Sequence, residues 1–528
     1  MNETELIRIF LEKNFNIAAE ALDYLLEKNI SENVLREIIN KIPQDIPVIN
    51  RALLETYLGS LKQPLQAPID ESIEIIKKHE QPVEEQKFKT DEIIQEQSVI
   101  QPPLLTDRPL SQIRIKRDIP ERTSDEPDIA SFRRLFKNRF EQLSAILKEN
   151  ITSSDTVLKR TLIENEIPHD RRGILIGMVQ DTRVLHTNKF VIHLEDPETE
   201  TTTNCVMVQD SVGFPEYRNI LRDSVIGISG VLPKNFEGGD ITAFWGTDII
   251  RPSFERIKFK PTNTSKKVLF IADIHFGSKY FSRRVFAKLI DFLNLKGLNT
   301  HTKETAAQIS TVIIAGDLVE GVGRFSNQKS TITQSSYQTQ YENLGNLLGK
   351  IPSEIQIIVI PGEHDATQTA LPQPAIDRQI GEALYTIPNL KSYGNPLRCS
   401  IDNINFLIFH GQGNDTLFQT TKQIHINPIE GIQHLLEYRH LCPEYGSFNP
   451  LAPFKRDYLV VEKIPDVVVT GHFHQTHFKE YKGVKIITCG TFQRANSEQI
   501  VKDGISFGIV PVLDTKTGTA EMIDLKRI

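Results

Sequence analysis

A chain of 528 residues and 60.0 kDa is too long for one hydrophobic core and predicts three or four domains. Hydrophobic residues at 39% and charged residues at 24% place most of it in the soluble globular class. A net charge of -7, from 61 Lys and Arg against 68 Asp and Glu, excludes a global pull on nucleic acid, so any such contact has to be local or shared with a more basic partner.

At the start, MNETELIRIFLEK has acidic residues where a signal peptide needs basic ones, and its apolar residues are periodic rather than continuous. No apolar run is long enough to span a bilayer, so a cytoplasmic protein with no membrane contact is expected. Apolar residues at helical spacing predict a small helical domain over 1–58, closed by the turn at Asp45. A domain of that size buries little core, and it reads as a stabilising appendage or a docking module. Residues 59–125 are punctuated by Pro64, Pro68, Pro82, Pro102, Pro103, Pro109 and Pro120 among Glu, Gln and Lys, which predicts a flexible linker.

A third domain is expected over 126–262. Its opening stretch, IASFRRLFKNRFEQLSAILKEN (129–150), predicts an amphipathic helix with Phe132, Leu135, Phe136, Phe140, Leu143 and Ile146 on one side. Arg133, Arg134, Lys137 and Arg139 are expected on a solvated face. Five β-rich runs follow, at 173–183, 189–196, 205–210, 223–232 and 241–252; over about 85 residues they predict a small closed barrel of OB type, with Trp245 in its core.

The chemistry lies in 263–528. Five apolar strand-like runs each end in residues of metal-binding type. KVLFIADIHFGS carries Asp273 and His275, and STVIIAGDLVEG carries Asp317. EIQIIVIPGEHDA carries Glu363, His364 and Asp365, INFLIFHGQG carries His410, and PDVVVTGHFHQT carries His472 and His474. Ligands of α/β sheets sit beyond the carboxyl ends of the strands, so these residues are placed to converge. Within D-x-H and H-x-H, residues two apart on an extended strand share a side and are expected to present paired ligands. Glycines 277, 316, 362, 411 and 471 give the backbone freedom to turn and approach closely. Carboxylates mixed with imidazoles suit Mn²⁺, Fe²⁺ or Zn²⁺. About seven such groups exceed one tetrahedral site and fit two ions roughly 3.5–4 Å apart, an arrangement suited to phosphate-ester hydrolysis. Arg324 in GVGRFSNQ and the Lys455-Arg456 pair are candidate phosphate contacts. The closing runs FGIVPVLD and TAEMIDLKRI are expected on the outer part of a second sheet, completing a two-layer β core flanked by helices.

The order D-x-H, G-D, G-x-H-D, H-G, G-H-x-H resembles the calcineurin-like metallophosphoesterase family. More narrowly, ADIHFGS, GDLVEGVGRF, PGEHDATQTALPQPAI, FHGQG and LAPFKRDYLVVEKIPDVVVTGHFH resemble the small subunits of archaeal family D DNA polymerases. The resemblance implies an α/β two-layered β-sandwich phosphoesterase domain behind the helical domain, linker and barrel. It implies two divalent ions, with Mn²⁺ foremost. Asp273, His275 and His474 would hold the first, Asp317 would bridge, and Glu363, His410 and His472 would hold the second. His364 would face the substrate as catalyst, with Asp365 in support. The implied function is a 3'-to-5' exonuclease acting on single-stranded or mismatched DNA 3' ends, and a scaffold for the large polymerase subunit, with further replisome partners reached through the N-terminal domain or linker. Glu363 departs from the family's asparagine. Its added negative charge leaves open a weakened or inactive scaffold subunit, and a stand-alone metallophosphoesterase is a third reading.

Overall fold

The computed structural model describes residues 108–120 and 126–528, apart from short breaks at 153–154, 186–188, 198, 209–219, 324–327, 421–426 and 495–503. It also describes a few positions nearer the start of the chain. Two compact units divide it, Met1–Ser98 and Val99–Ile528. In the first, Asn16–Ile17 and Val48–Ile49 pair as parallel two-residue strands, and Leu25 and Leu35 are helical and buried. The rest of the expected helical domain over 1–58, and the linker up to residue 107, lie outside the described residues.

The second unit begins with β1, Ile113–Arg117, a strand where a flexible linker was expected through 125. Alternating Ile113 and Ile115 between polar neighbours give it a strand period, and it pairs antiparallel with 397–401 at a sheet edge. Helix α1 spans Ile129–Asn150 and starts on an Asp128–Ser131 capping box. Strands β2 (Arg172–Leu185), β3 (Lys189–Asp196), β4 (Thr201–Val208), β5 (Val225–Val231) and β6 (Ala243–Ile250) close into a five-stranded barrel in the order β6-β4-β3-β2-β5. Along β6 the alternation puts Phe244 in the core and leaves Trp245 49% exposed, so Trp245 is not a core residue.

Two six-stranded sheets follow. Strands β7 (Lys267–Ile271), β8 (Ile309–Ala315), β9 (Gln356–Ile360) and β10 (Leu390–Ser392) are mutually parallel. Helices α2 (Arg283–Leu293), α3 (Thr300–Ala307) and α4 (Tyr337–Leu348) connect and cover them. The second sheet contains β11 (Leu397–Ile401), β12 (Ile404–Ile408), β13 (Val467–Thr470), β14 (His477–Tyr481) and β15 (Val484–Thr488), with β1 at its edge. Helices α5 (Asn414–Thr420) and α6 (Pro428–Glu437) lie between β12 and β13 in the chain. The closing strands β16 (Ile509–Asp514) and β17 (Ala520–Asp524) join the first sheet, not the second, because β16 pairs with the free side of β7, Val268 opposite Leu513.

The sheets pack face to face. Val268, Phe270, Ile313 and Ile358 of one meet Cys399, Phe406, Ile408, Val467 and Val469 of the other. The alternate residues, such as Leu269, Ile271 and Val312, face the helices. Burial on both faces explains why these strands read as unbroken apolar runs. Among the described residues, no helix is long and apolar enough to cross a membrane.

Helix α1 ties the barrel to the sandwich through a residue expected on its solvated side. Arg139 is fully buried, and its Nε donates to Asp457 Oδ2 at 2.7 Å while Nη1 reaches the Pro443 carbonyl at 2.5 Å. Spacing explains it: 139 stands four residues from Leu135 and four from Leu143, on the apolar stripe itself.

Candidate metal centre

Strands β7, β8, β9, β12 and β13 all point their carboxyl ends at one edge of the sandwich, and every candidate residue of the five runs lies within five residues of such an end. The pairing within D-x-H and H-x-H does not come from the pleat of an extended strand. Asp273, His275, Asp317, His472 and His474 have φ of 51°, 50°, 53°, 73° and 58°, the left-handed region that non-glycine residues seldom occupy. Each such residue costs on the order of 1–2 kcal/mol, and strain of this kind gathers at functional sites. The turns send Ile274 into the core and bring Asp273 and His275 together. They also separate His472 from His474, which enter different groups of donors.

Asp273, His275 and His474 form one group, with His474 Nε2 3.5 Å from Asp273 Oδ1 and 3.1 Å from His275 Nε2. Glu363, His410 and His472 form a second, with Glu363 Oε1 2.8 Å from His472 Nδ1 and Oε2 2.9 Å from His410 Nε2. Asp317 lies between them, its Oδ2 3.7 Å from His275 Nε2 and 3.4 Å from His410 Nε2. His364 sits over the middle, Nε2 3.9 Å from Asp317 Oδ2, with its ring edge-on to His275 at 4.6 Å. The seven expected metal ligands and His364 are therefore in one cluster. Arg324 falls outside the described residues. Lys455 and Arg456 are exposed, and Arg456 pairs with Glu462.

Close backbone approach makes room for this packing. A Cβ on Gly362 would stand 2.2 Å from Asp317 Oδ1, and one on Gly471 would stand 2.6 Å from Asp273 Oδ2.

Surrounding groups fix how the imidazoles present themselves. His410 Nδ1 lies 2.7 Å from the Ala315 carbonyl, which makes it the N–H donor and leaves Nε2 facing the cluster. His364 Nδ1 donates likewise to the Glu320 carbonyl at 2.8 Å. His472 Nε2 donates to Asp415 Oδ1 at 2.7 Å, so Nδ1 faces Glu363. Asp365 points away from the cluster. It accepts from the Gly362 and Leu318 amides and the Tyr341 hydroxyl, locking the loop that carries Glu363 and His364 to the one that carries Asp317. Asp415, Glu320 and Tyr341 were not singled out in the sequence. Asp415 lies five residues beyond His410 in the first turn of α5, and Glu320 three beyond Asp317, so proximity to the motifs was the available signal.

The donor set suits divalent cations. Glu363 Oε2, His410 Nε2 and His472 Nδ1 are buried, and their 2.8–2.9 Å approaches are not aligned as hydrogen bonds; they aim at common space. The electrostatics agree. Burial pushes the Glu363 carboxyl up, but His472 and His410 outweigh it and hold the group well below the usual carboxylate range. Burial works against the charged form of His472, yet Glu363 and Asp415 raise it to about 10. Burial likewise opposes charge on His410, and Asp317 and Glu363 raise it well above the ordinary imidazole value. A pocket that stabilises positive charge this strongly can take it from protons or from metal ions, and ions bind these imidazoles in their neutral form.

The family model for the B subunits of DNA polymerases alpha and epsilon matches residues 268–480. Among curated proteins, the DNA polymerase II small subunit of Methanothermobacter thermautotrophicus is 33% identical over 75% of this chain and 80% of its own length. That of Methanocaldococcus jannaschii is 31% identical over 75% and 66%, and that of Archaeoglobus fulgidus 28% identical over 92% and 90%. Similar solved structures include an archaeal phosphodiesterase, at 19% identity and a TM-score of 0.24 over 49% of this chain and 98% of that one. Another is Vps29 with zinc from Entamoeba histolytica, at 14% identity and a TM-score of 0.23 over 49% and 99%.

Proposed function

The chain belongs to the family of archaeal DNA polymerase II small subunits, those of the family D polymerases, and from that premise we propose that it is a 3'-to-5' DNA exonuclease and scaffold of the polymerase, working in the cytoplasm beside a large catalytic subunit. The observation that carries the nuclease half is the convergence of Asp273, His275, Asp317, Glu363, His410, His472 and His474 at five strand ends. Divalent ions, with Mn²⁺ foremost and Fe²⁺ or Zn²⁺ as alternatives, would supply an acidified water and charge stabilisation for phosphodiester hydrolysis.

The chain's own residues do the rest. Asp273, His275 and His474 would hold one ion, Glu363, His410 and His472 the other, and Asp317 both. His364 is the proton donor. Its Nδ1–H is tied to the Glu320 carbonyl, so Nε2 faces the reacting phosphate and can protonate the departing 3' oxygen. The helical domain over 1–58 and the barrel domain over 126–262, read as an OB fold, are the proposed docking parts for the large subunit and for replisome partners.

A second reading, a scaffold with a silenced site, is favoured by one observation: Glu363 adds a carboxylate between His410 and His472. Degradation of a 3'-mismatched oligonucleotide in Mn²⁺ tests both. Wild type shortens the strand, and His364→Ala loses about 10²–10⁴-fold of the rate. Cleavage by Glu363→Asn but not by wild type would show a silenced centre, and cleavage by neither would leave only the scaffold.

A further inference from the structure

The metal centre is bordered by a basic face that the proposed chemistry does not use. A cleft of about 600 Å³ beside α2 is lined by Arg283, Arg284, Lys288, Arg494 and Lys526, and among the described residues no acidic one lines it. In a chain of net charge -7 this is a local reversal of sign. Lys526 is paired with Asp524 at 3.0 Å, and Lys288 donates to the Ile528 carbonyl. Arg283, Arg284 and Arg494 are exposed and form no ion pair among the described residues. Tyr280, 53% exposed, stands on the loop that runs from His275 to α2.

This face is fastened to the centre. The Arg494 amide donates to the Tyr280 carbonyl at 2.8 Å, and Phe281 and Gln493 form a β-bridge. Gln493 Nε2 donates to Glu320 Oε2 at 2.9 Å, and that same oxygen lies 3.1 Å from His275 Nδ1. The guanidinium of Arg283 lies over the ring of Phe276, the residue after His275. The backbone of Arg494 and the side chain of Arg283 are thus linked to the loop that carries His275, and Arg284 follows Arg283 in the first turn of α2.

We propose that Arg283, Arg284 and Arg494 form a track for the sugar-phosphate backbone of the single DNA strand whose 3' end enters the metal centre, with Tyr280 as a platform for a base. The inference rests on the nuclease reading above and adds the surface that holds the substrate. Arginines matched to phosphates, beside an exposed aromatic ring, are the components of sequence-tolerant single-strand binding. Such a track also explains how a chain of negative net charge retains a polyanion.

Fluorescence anisotropy of a labelled oligothymidylate, measured on the full chain without metal across a salt series, tests it. Arg283→Ala/Arg284→Ala/Arg494→Ala should weaken binding about tenfold or more. It should also reduce the slope of log affinity against log salt by about 2, from roughly 0.7 per lost phosphate contact. Tyr280→Ala should weaken binding at least about fivefold. Arg133→Ala/Arg134→Ala on α1 should change neither quantity. Hydrolysis of bis(p-nitrophenyl) phosphate in Mn²⁺, too small to reach the track, should be the same in the triple variant as in wild type. An unchanged affinity and salt slope would overturn the proposal. So would failure to bind the large subunit with DNA affinity intact, which would make the face a partner surface. If wild type fails to hydrolyse the small diester, the nuclease reading falls, while the anisotropy still decides the track.

Discussion

Arg139→Met keeps an unbranched aliphatic side chain and removes the guanidinium that meets Asp457 and lies over the Phe136 ring. Both side chains of that ion pair are essentially inaccessible, at 0% and 1% exposure, so water cannot replace the lost partner. Breaking a buried pair from one side costs about 3–5 kcal/mol, because the remaining charge stays buried. The Pro443 and Asp223 carbonyls also lose a donor, although His440 Nε2 at 2.9 Å still holds Asp457, so the same range stands for the whole change. For a unit of this size the loss lowers the unfolding temperature by on the order of 5 °C. Thermal unfolding of the full chain followed by the fluorescence of Trp245, its single tryptophan, reads the barrel side of the contact directly. The Arg139→Met/Asp457→Leu double variant should recover much of the loss, since no unpaired charge remains. A loss under about 1 kcal/mol in the single variant would refute the reasoning and show that the pair does not join α1 to the sandwich.

The same cluster sets an acid limit. Burial, then Arg139, lowers His440 to about 4 despite Asp457, and its Nδ1 accepts from the Cys442 amide, which fixes the neutral ring. An unfolded histidine titrates near 6.5, so the unfolded chain takes up a proton first; stability is complete above about pH 6.5 and falls as pH drops toward 4, by about 3 kcal/mol. Burial pushes Asp457 up, but His440 and Arg139 hold it below the usual range, so its contribution is present above about pH 4 and is lost at still lower pH. His440→Gln should remove the step between pH 6.5 and 4 in a pH series of unfolding temperatures, and an unchanged step would contradict the assignment. At the candidate metal centre, Asp415→Ala releases His472 Nε2 and should weaken Mn²⁺ binding about 10–100-fold by calorimetric titration, whereas equal affinity would show that Asp415 does not orient the imidazole.

The parts legible in the sequence were those with local signatures. Strands buried on both faces read as continuous apolar runs, and the polar residues ending them marked the edge where ligands gather, so Asp273, Asp317, His364 and His472 could be found one strand at a time. The barrel strands and α1 followed from period and turn residues for the same reason. Long-range pairing left no such mark. Nothing local in IRIKR says that it borders the strand at 397–401, and β16 reads the same whichever sheet it joins. Asp415 becomes a partner of His472 only when α5 folds back over the cluster. Arg139 was legible and misread, since its position on the apolar stripe carried more information than its charge. Trp245 was expected in the core with the barrel's phenylalanines, where alternation beside Phe244 points it outward.

On the proposed reading, one edge of the sandwich holds a pair of divalent ions. Metal content measured on the 528-residue chain, loaded with Mn²⁺ and freed of excess, decides it. Two ions per wild-type chain, falling to one or none in Asp317→Ala, which removes the carboxylate between the two groups, is the predicted result. Fewer than two ions in wild type, or two retained in Asp317→Ala, would contradict it.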